Sequence, residues 1–95
     1  AVGMVMAAEL ALDLGLCPLS LAVRQKELLR CLGLPTSIQR WGLKTSTILK
    51  IMMNDKKKTG GQLRFVLPRR IGEVTIQKGI PLHQIRKAIR LTGGQ

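Results

Sequence analysis

The stretch from Val2 to Leu14, VGMVMAAELALDL, is almost wholly apolar or small, and its two charges, Glu9 and Asp13, lie four apart on one helical face. A helix of this kind must be buried on most of its circumference, so the rest of a 95-residue chain has to pack around it. A chain this short buries only about 60 to 65% of its unfolded surface, which allows a single domain with a modest core. Glu9 and Asp13 interrupt the run and no basic segment precedes it, so a buried helix explains it better than a signal peptide or membrane span. The chain opens at Ala1 and enters the helical pattern without a capping residue, which reads as a piece of something longer.

Glycine and proline divide the remainder. Gly15 can end the first helix in the left-handed conformation, and Pro18 tolerates a new start, so a second helix is expected from about Leu19 to Leu32. Its inward stripe is Leu21, Leu28, Leu29 and Leu32. Gly33 and Pro35 stop it, and GLPTSIQRWG is a connector in which Trp41 is expected to cover an edge of the core. Thr45 or Ser46 can cap a third helix whose inward stripe is Ile48, Leu49, Met52 and Met53. Lys56, Lys57 and Lys58 fall in its last turn, where each cation gains about 0.3 to 1 kcal/mol from the helix dipole. Gly60-Gly61 then turns the chain.

Leu63 to Leu67 and Val74 to Ile76 favour strands and, joined by PRRIGE, suggest a two-stranded hairpin that needs a helical backing to be stable. Pro81 opens a last helix with Ile85, Ala88, Ile89 and Leu82 as its inward candidates, and TGGQ is expected to fray. The fold class is therefore mainly α, a small helical domain with a short β-hairpin, spanning residues 1–95 as one unit.

Sixteen Lys plus Arg against five Asp plus Glu give a formal charge of +11, a field that favours anionic partners of any size. Hydrophobic residues make up 45% of the chain, so the charge sits on a packed body and not on a disordered tail. The basic runs leave three readings open: phosphate contacts to nucleic acid, a solvated face, or a site for a small anion. Against nucleic acid, the chain has no Tyr, one Phe and one Trp, too few for a stacking platform, and no zinc-finger, RNP or basic-zipper pattern. A phosphate-binding P-loop is excluded because Gly60 and Gly61 follow the lysines. Cys17 and Cys31 form no CxxC pair and read as reduced structural thiols of a cytoplasmic protein. His83, the sole histidine, reads as neither ligand nor base, Asp55 as a carboxylate held by its lysines, and the methionines as core.

AVGMVMAAELALDLGL, GLPT, MMNDKKKTGGQLRFVLPRRIGEV and GIPLHQIRKAI, in this order and spacing, resemble the C-terminal part of the 3-dehydroquinate synthases. The likeness runs from Ala1 to about Leu91; its most specific element is Asp55-Lys56-Lys57 with Gly61, LRFVLP and Ile71-Gly72, and Ala1 to Ala8 is a second anchor. It implies an enzyme that turns 3-deoxy-D-arabino-heptulosonate 7-phosphate into 3-dehydroquinate and phosphate, using NAD and a divalent metal, zinc or cobalt, in a cleft between two domains. The chain would then be the substrate- and metal-side domain, inactive alone, with the NAD domain and the metal-ligating His-Gly-Glu motif upstream of Ala1. The resemblance carries over one site element, the substrate-holding lysine, at Lys56 or else at Lys57. It assigns no catalytic, cofactor or metal residue to this chain. It further implies a dimeric intact enzyme, and apolar surface left on the first helix would favour self-association. Related sugar-phosphate cyclases share the arrangement, and a basic nucleic-acid module is the rival from another class.

Overall fold

The structure, a computed structural model, describes residues 2–58 and 60–95. Ala1, the first residue of one anchoring stretch, lies outside them. Helix α1 (Val2–Asp13) is followed by α2 (Leu19–Cys31), a 3-10 turn (Gln39–Trp41), α3 (Thr45–Lys58), the strands β1 (Arg64–Arg70) and β2 (Glu73–Lys78), and α4 (Leu82–Leu91). The mainly helical domain with one antiparallel hairpin is the expected fold.

The described helices end by one device. Beyond each last turn a glycine takes a positive φ (Gly15 at 73°, Gly33 at 73°, Gly60 at 82°, Gly93 at 105°), a conformation in which any side chain would be strained. The next amide then reaches back to a carbonyl of the last turn: Leu16 to Ala11, Leu34 to Leu29, Gly61 to Lys56 and Gly94 to Ile89, at 2.8 to 2.9 Å. Each helix exit is thereby aimed, and so is the element that follows.

Helix α1 is the centre, packing against α4, β1 and α2, and it buries Val5, Ala8, Leu10 and Ala11. Helix α4 wedges between two clusters. Ala88 joins Leu10, Ala11, Cys17 and Leu67 on one side, while Ile85 and Ile89 meet Leu49 of α3 on the other. A Lys87 Nζ to Asp13 Oδ1 ion pair at 2.8 Å ties α4 to α1 at the surface. In the hairpin, Val66 faces Ile76 and Pro68 faces Val74, with an irregularity between Pro68 and Arg70 ahead of the Ile71-Gly72 turn. Strand β1 begins one residue later than the expected Leu63 to Leu67 and runs on to Arg70, while β2 outruns the expected Val74 to Ile76 at both ends. The ladder tolerates Pro68 because a two-stranded sheet has only edge strands.

Several expectations are corrected. Leu28 of α2 and Leu32, just beyond its end, are 59% and 64% exposed, because α2 packs mainly on α1 and one narrow line, Ala22 and Leu29, is buried. Trp41 is exposed, belongs to neither cluster, and lies under the Arg40 guanidinium at 4.7 Å. Leu82 is also exposed. The first turn of α3 is closed by backbone: the amides of Thr47 and Ile48 donate to the Lys44 carbonyl, and the Thr45 hydroxyl is buried without a partner. The TGGQ end is held in place. Thr92 is buried and its hydroxyl donates to the Ala88 carbonyl at 2.7 Å, while Gln95 exchanges backbone hydrogen bonds with Leu43 and Thr45. Exposed apolar surface on α1 is confined to its start, at Met4; the larger share lies on α2 and on the outer hairpin face of Val66, Val74 and Ile76. Cys17 is buried as expected, but Cys31 is exposed. No described helix is long and apolar enough to cross a membrane.

Candidate functional site

The end of α3, the linker residues 61–63, the segment 79–80 and the start of α4 line a half-open cavity of about 240 Å³. Three separate decisions of the sequence meet there. The Gly60-Gly61 turn reverses the chain, with both residues at positive φ (82° and 90°), so that Gln62 and Leu63 lie against the helix they have just left. Gly79 and Ile80 return from β2, and Pro81, at the helix entry, launches α4 so that Ile85 faces the same space. Met53, one turn before the end of α3, supplies a flexible apolar wall.

Lys56 is the charged residue among those described on this wall, and it is half-buried. Its carbonyl accepts the Gly61 amide at 2.8 Å, which fixes the backbone that carries the side chain. Lys57 and Lys58 are exposed and do not line the cavity, because successive residues of a helix point about 100° apart. Of the two sequence candidates, the structure thus brings Lys56 to the recess and leaves Lys57 outside it. An ammonium beside apolar walls, with Gln62 as a neighbour, has the chemistry to hold and orient a carboxylate or phosphate.

Met53, Gln62, Ile80 and Ile85 join the site without any local signal in the sequence that they would. Leu63 and Ile85 were legible as apolar strand and helix positions, but their meeting depends on how α4 folds back. His83 lies exposed in the first turn of α4 and is not on the cavity wall. Among the described residues no three His, Cys, Asp or Glu side chains come together as a metal site would need, so no metal step is assigned to them. Two titrations are displaced elsewhere. The Lys87 hydrogen bond and charge hold the Asp13 carboxyl below its usual range, against a smaller opposing effect of burial. Burial, with the nearby Glu9 charge, pushes the Cys17 thiol up.

The fold and recess define a mainly helical domain with a lysine at a helix end bordering a small cavity. The sequence profile of the family described as 3-dehydroquinate synthase C-terminal matches residues 1–58, and the chain belongs to that family. Among similar curated proteins, the 3-dehydroquinate synthase of Crocosphaera subtropica is 36% identical over 94% of this chain and 24% of its own length. That of Synechocystis is 42% identical over 84% of the chain and 22% of its own length, and that of Laribacter hongkongensis 39% over 94% and 24%. The chain therefore spans about a quarter of the length of the relatives it matches. No solved structure gives a significant match.

Proposed function

We propose that this chain is the C-terminal portion of an enzyme converting 3-deoxy-D-arabino-heptulosonate 7-phosphate to 3-dehydroquinate and phosphate, and that Lys56 holds the anionic substrate. Family membership supports the reaction, and the observation that carries the residue is the place of Lys56 on the cavity wall while Lys57 points away. In this reading the NAD that transiently oxidises a ring hydroxyl, and the divalent metal that polarises it, are held by residues outside this chain. The chain's own contribution is to position the anion. The Lys56 ammonium pairs with a carboxylate or phosphate oxygen, and Met53, Leu63, Ile80 and Ile85 give it apolar surroundings, which strengthen that pairing. The 95 residues alone would not turn over substrate, and the intact enzyme would act as a cytoplasmic dimer.

The test is a phosphate-release assay on the protein encoded by the complete reading frame, supplied with NAD and zinc. Lys56→Ala should raise KM or lower kcat by roughly tenfold or more, as loss of a charged contact does, with NAD affinity unchanged. Lys57→Ala should stay within about twofold of the parent. No phosphate release from the complete protein would reject the reaction. Unaltered kinetics in Lys56→Ala would remove that residue from the site while leaving the reaction standing.

A further inference from the structure

At the opposite end of α4 from the Lys56 cavity, about 15 Å along a helix of ten residues, lies a second and more polar recess of about 500 Å³. Its wall includes Lys26 and Arg30 of α2, Arg90 of α4, and Thr36, Ser37 and Gln39 of the connector. Lys26 and Arg30 are four apart and share one helical face, and Arg90 borders the same space from a different helix. No Asp or Glu side chain lines the recess, and Gln95, which carries the terminal carboxylate in the 95-residue chain, lines it without an ion pair to these cations. Among the described residues the ion pairs are Asp13 with Lys87 and Glu73 with Arg69 and Arg70, so none of these three cations has an acidic partner.

Helix ends account for part of this. Arg30 and Arg90 sit in last turns, where a cation complements the dipole. Lys26 lies a turn earlier, beyond that effect. The exposed carbonyls are also already met by backbone amides, Gly33 to Arg30, Leu34 to Leu29, Gly93 to Arg90 and Gly94 to Ile89. The connector adds donors. The Ser37 hydroxyl oxygen accepts the Gln39 amide at 3.1 Å, which leaves its O–H free to donate. Gathered like charges repel unless an anion takes up their field, and the arginine fork matches phosphate oxygens in a bidentate way that a lysine cannot.

We propose that this recess is a second anion site, separate from Lys56, that takes a small molecule bearing a phosphate or diphosphate group. Lys26, Arg30 and Arg90 supply the charge, and Ser37 and Thr36 the neutral hydrogen bonds. The site stands on this arrangement of residues and does not depend on the reading of Lys56.

Calorimetric titration of the 95-residue chain with inorganic pyrophosphate tests it, with citrate as a carboxylate-only arm and a short DNA duplex as a polyanion arm. Saturable one-to-one binding of pyrophosphate, tighter than citrate, is expected. Arg30→Gln and Arg90→Gln should each weaken it about tenfold or more. Arg30→Lys keeps the charge and the helix; it should lose most of the same affinity if the fork matters, and it replaces Arg30→Gln should circular dichroism show that variant unfolded. The proposal is overturned by the absence of saturable binding, or by an equal loss in the exposed Lys50→Ala, which would show a general field. Tighter binding to the duplex with the same arginine dependence would overturn it in favour of nucleic acid.

Discussion

Helices α1 and α2 follow one another, have 12 and 13 residues and are both rich in apolar side chains, yet they meet different fates. Helix α1 is enclosed by α2, β1 and α4, and Leu10 and Ala11 are 2% and 0% exposed. Helix α2 has mainly α1 beside it, and Leu19, Leu28 and Leu32 face solvent. A leucine is buried by what the chain brings to it. Apolarity creates the demand, and the number of neighbouring elements decides whether it is met.

Substitutions should separate the two helices by more than their composition does. Leu10→Ala opens a cavity among Ala11, Cys17, Leu67 and Ala88 and should lower unfolding free energy by about 2 to 5 kcal/mol in urea melts. Retention of parent stability would break the comparison, since it would mean that the α1 environment can collapse freely. The thiols report the same contrast kinetically. Cys17, following α1, is buried with its S–H directed to the Ala8 carbonyl at 3.9 Å, and Cys31, closing α2, is exposed. Under native conditions Cys31 should react with a thiol reagent on the order of a hundredfold faster, because burial both hides Cys17 and keeps its proton on. Equal rates would place α1 among the frayed elements.

Smaller effects sharpen the contrast. Leu28→Ala should change stability by no more than about 0.5 kcal/mol, the usual range for an exposed position away from special contacts. The smallest effect belongs to the Asp13–Lys87 pair, which is largely solvated. Its sign follows from the lowered carboxyl pKa: the contribution is present above the ordinary value of 3.8 and is lost as pH falls through the lower folded value. Stability followed from pH 6 to pH 2 should therefore decline less steeply in Asp13→Asn than in the parent. An unchanged slope would mean that the pair does not tie α4 to α1 in solution.

Most of the fold was legible locally. The helix stops at Gly15, Gly33 and Gly60, the hairpin and the start of α4 at Pro81 rest on φ restrictions that operate over a few residues. What was misread shares one cause. The burial of Leu28, Leu32 and Trp41 and the ordering of the last residues depend on contacts made far along the chain. A Thr-Gly-Gly end has every local reason to fray, yet the Thr92 hydroxyl returns to Ala88, and Gln95 pairs with a connector dozens of residues earlier. The outer hairpin face shows the same limit, since Val66, Val74 and Ile76 are as β-favouring as Phe65 and Leu67 and nothing local says which set faces α1.

The candidate site divides in the same way. Asp55-Lys56-Lys57 followed by two glycines marks a helix end with cations, and the resemblance singled out its lysines. Only the packing of α4 against α3, and the return of Ile80 beside Leu63, decides that Lys56 and not Lys57 borders a cavity. By itself the sequence determined a buried first helix, the glycine stops of the first three helices and a basic surface, because turn stereochemistry, helical periodicity and net charge are properties of short stretches or of sums. The tertiary structure decided which apolar faces are covered and which cations share a recess. Those outcomes depend on distances between residues far apart in the chain, and no local rule contains them.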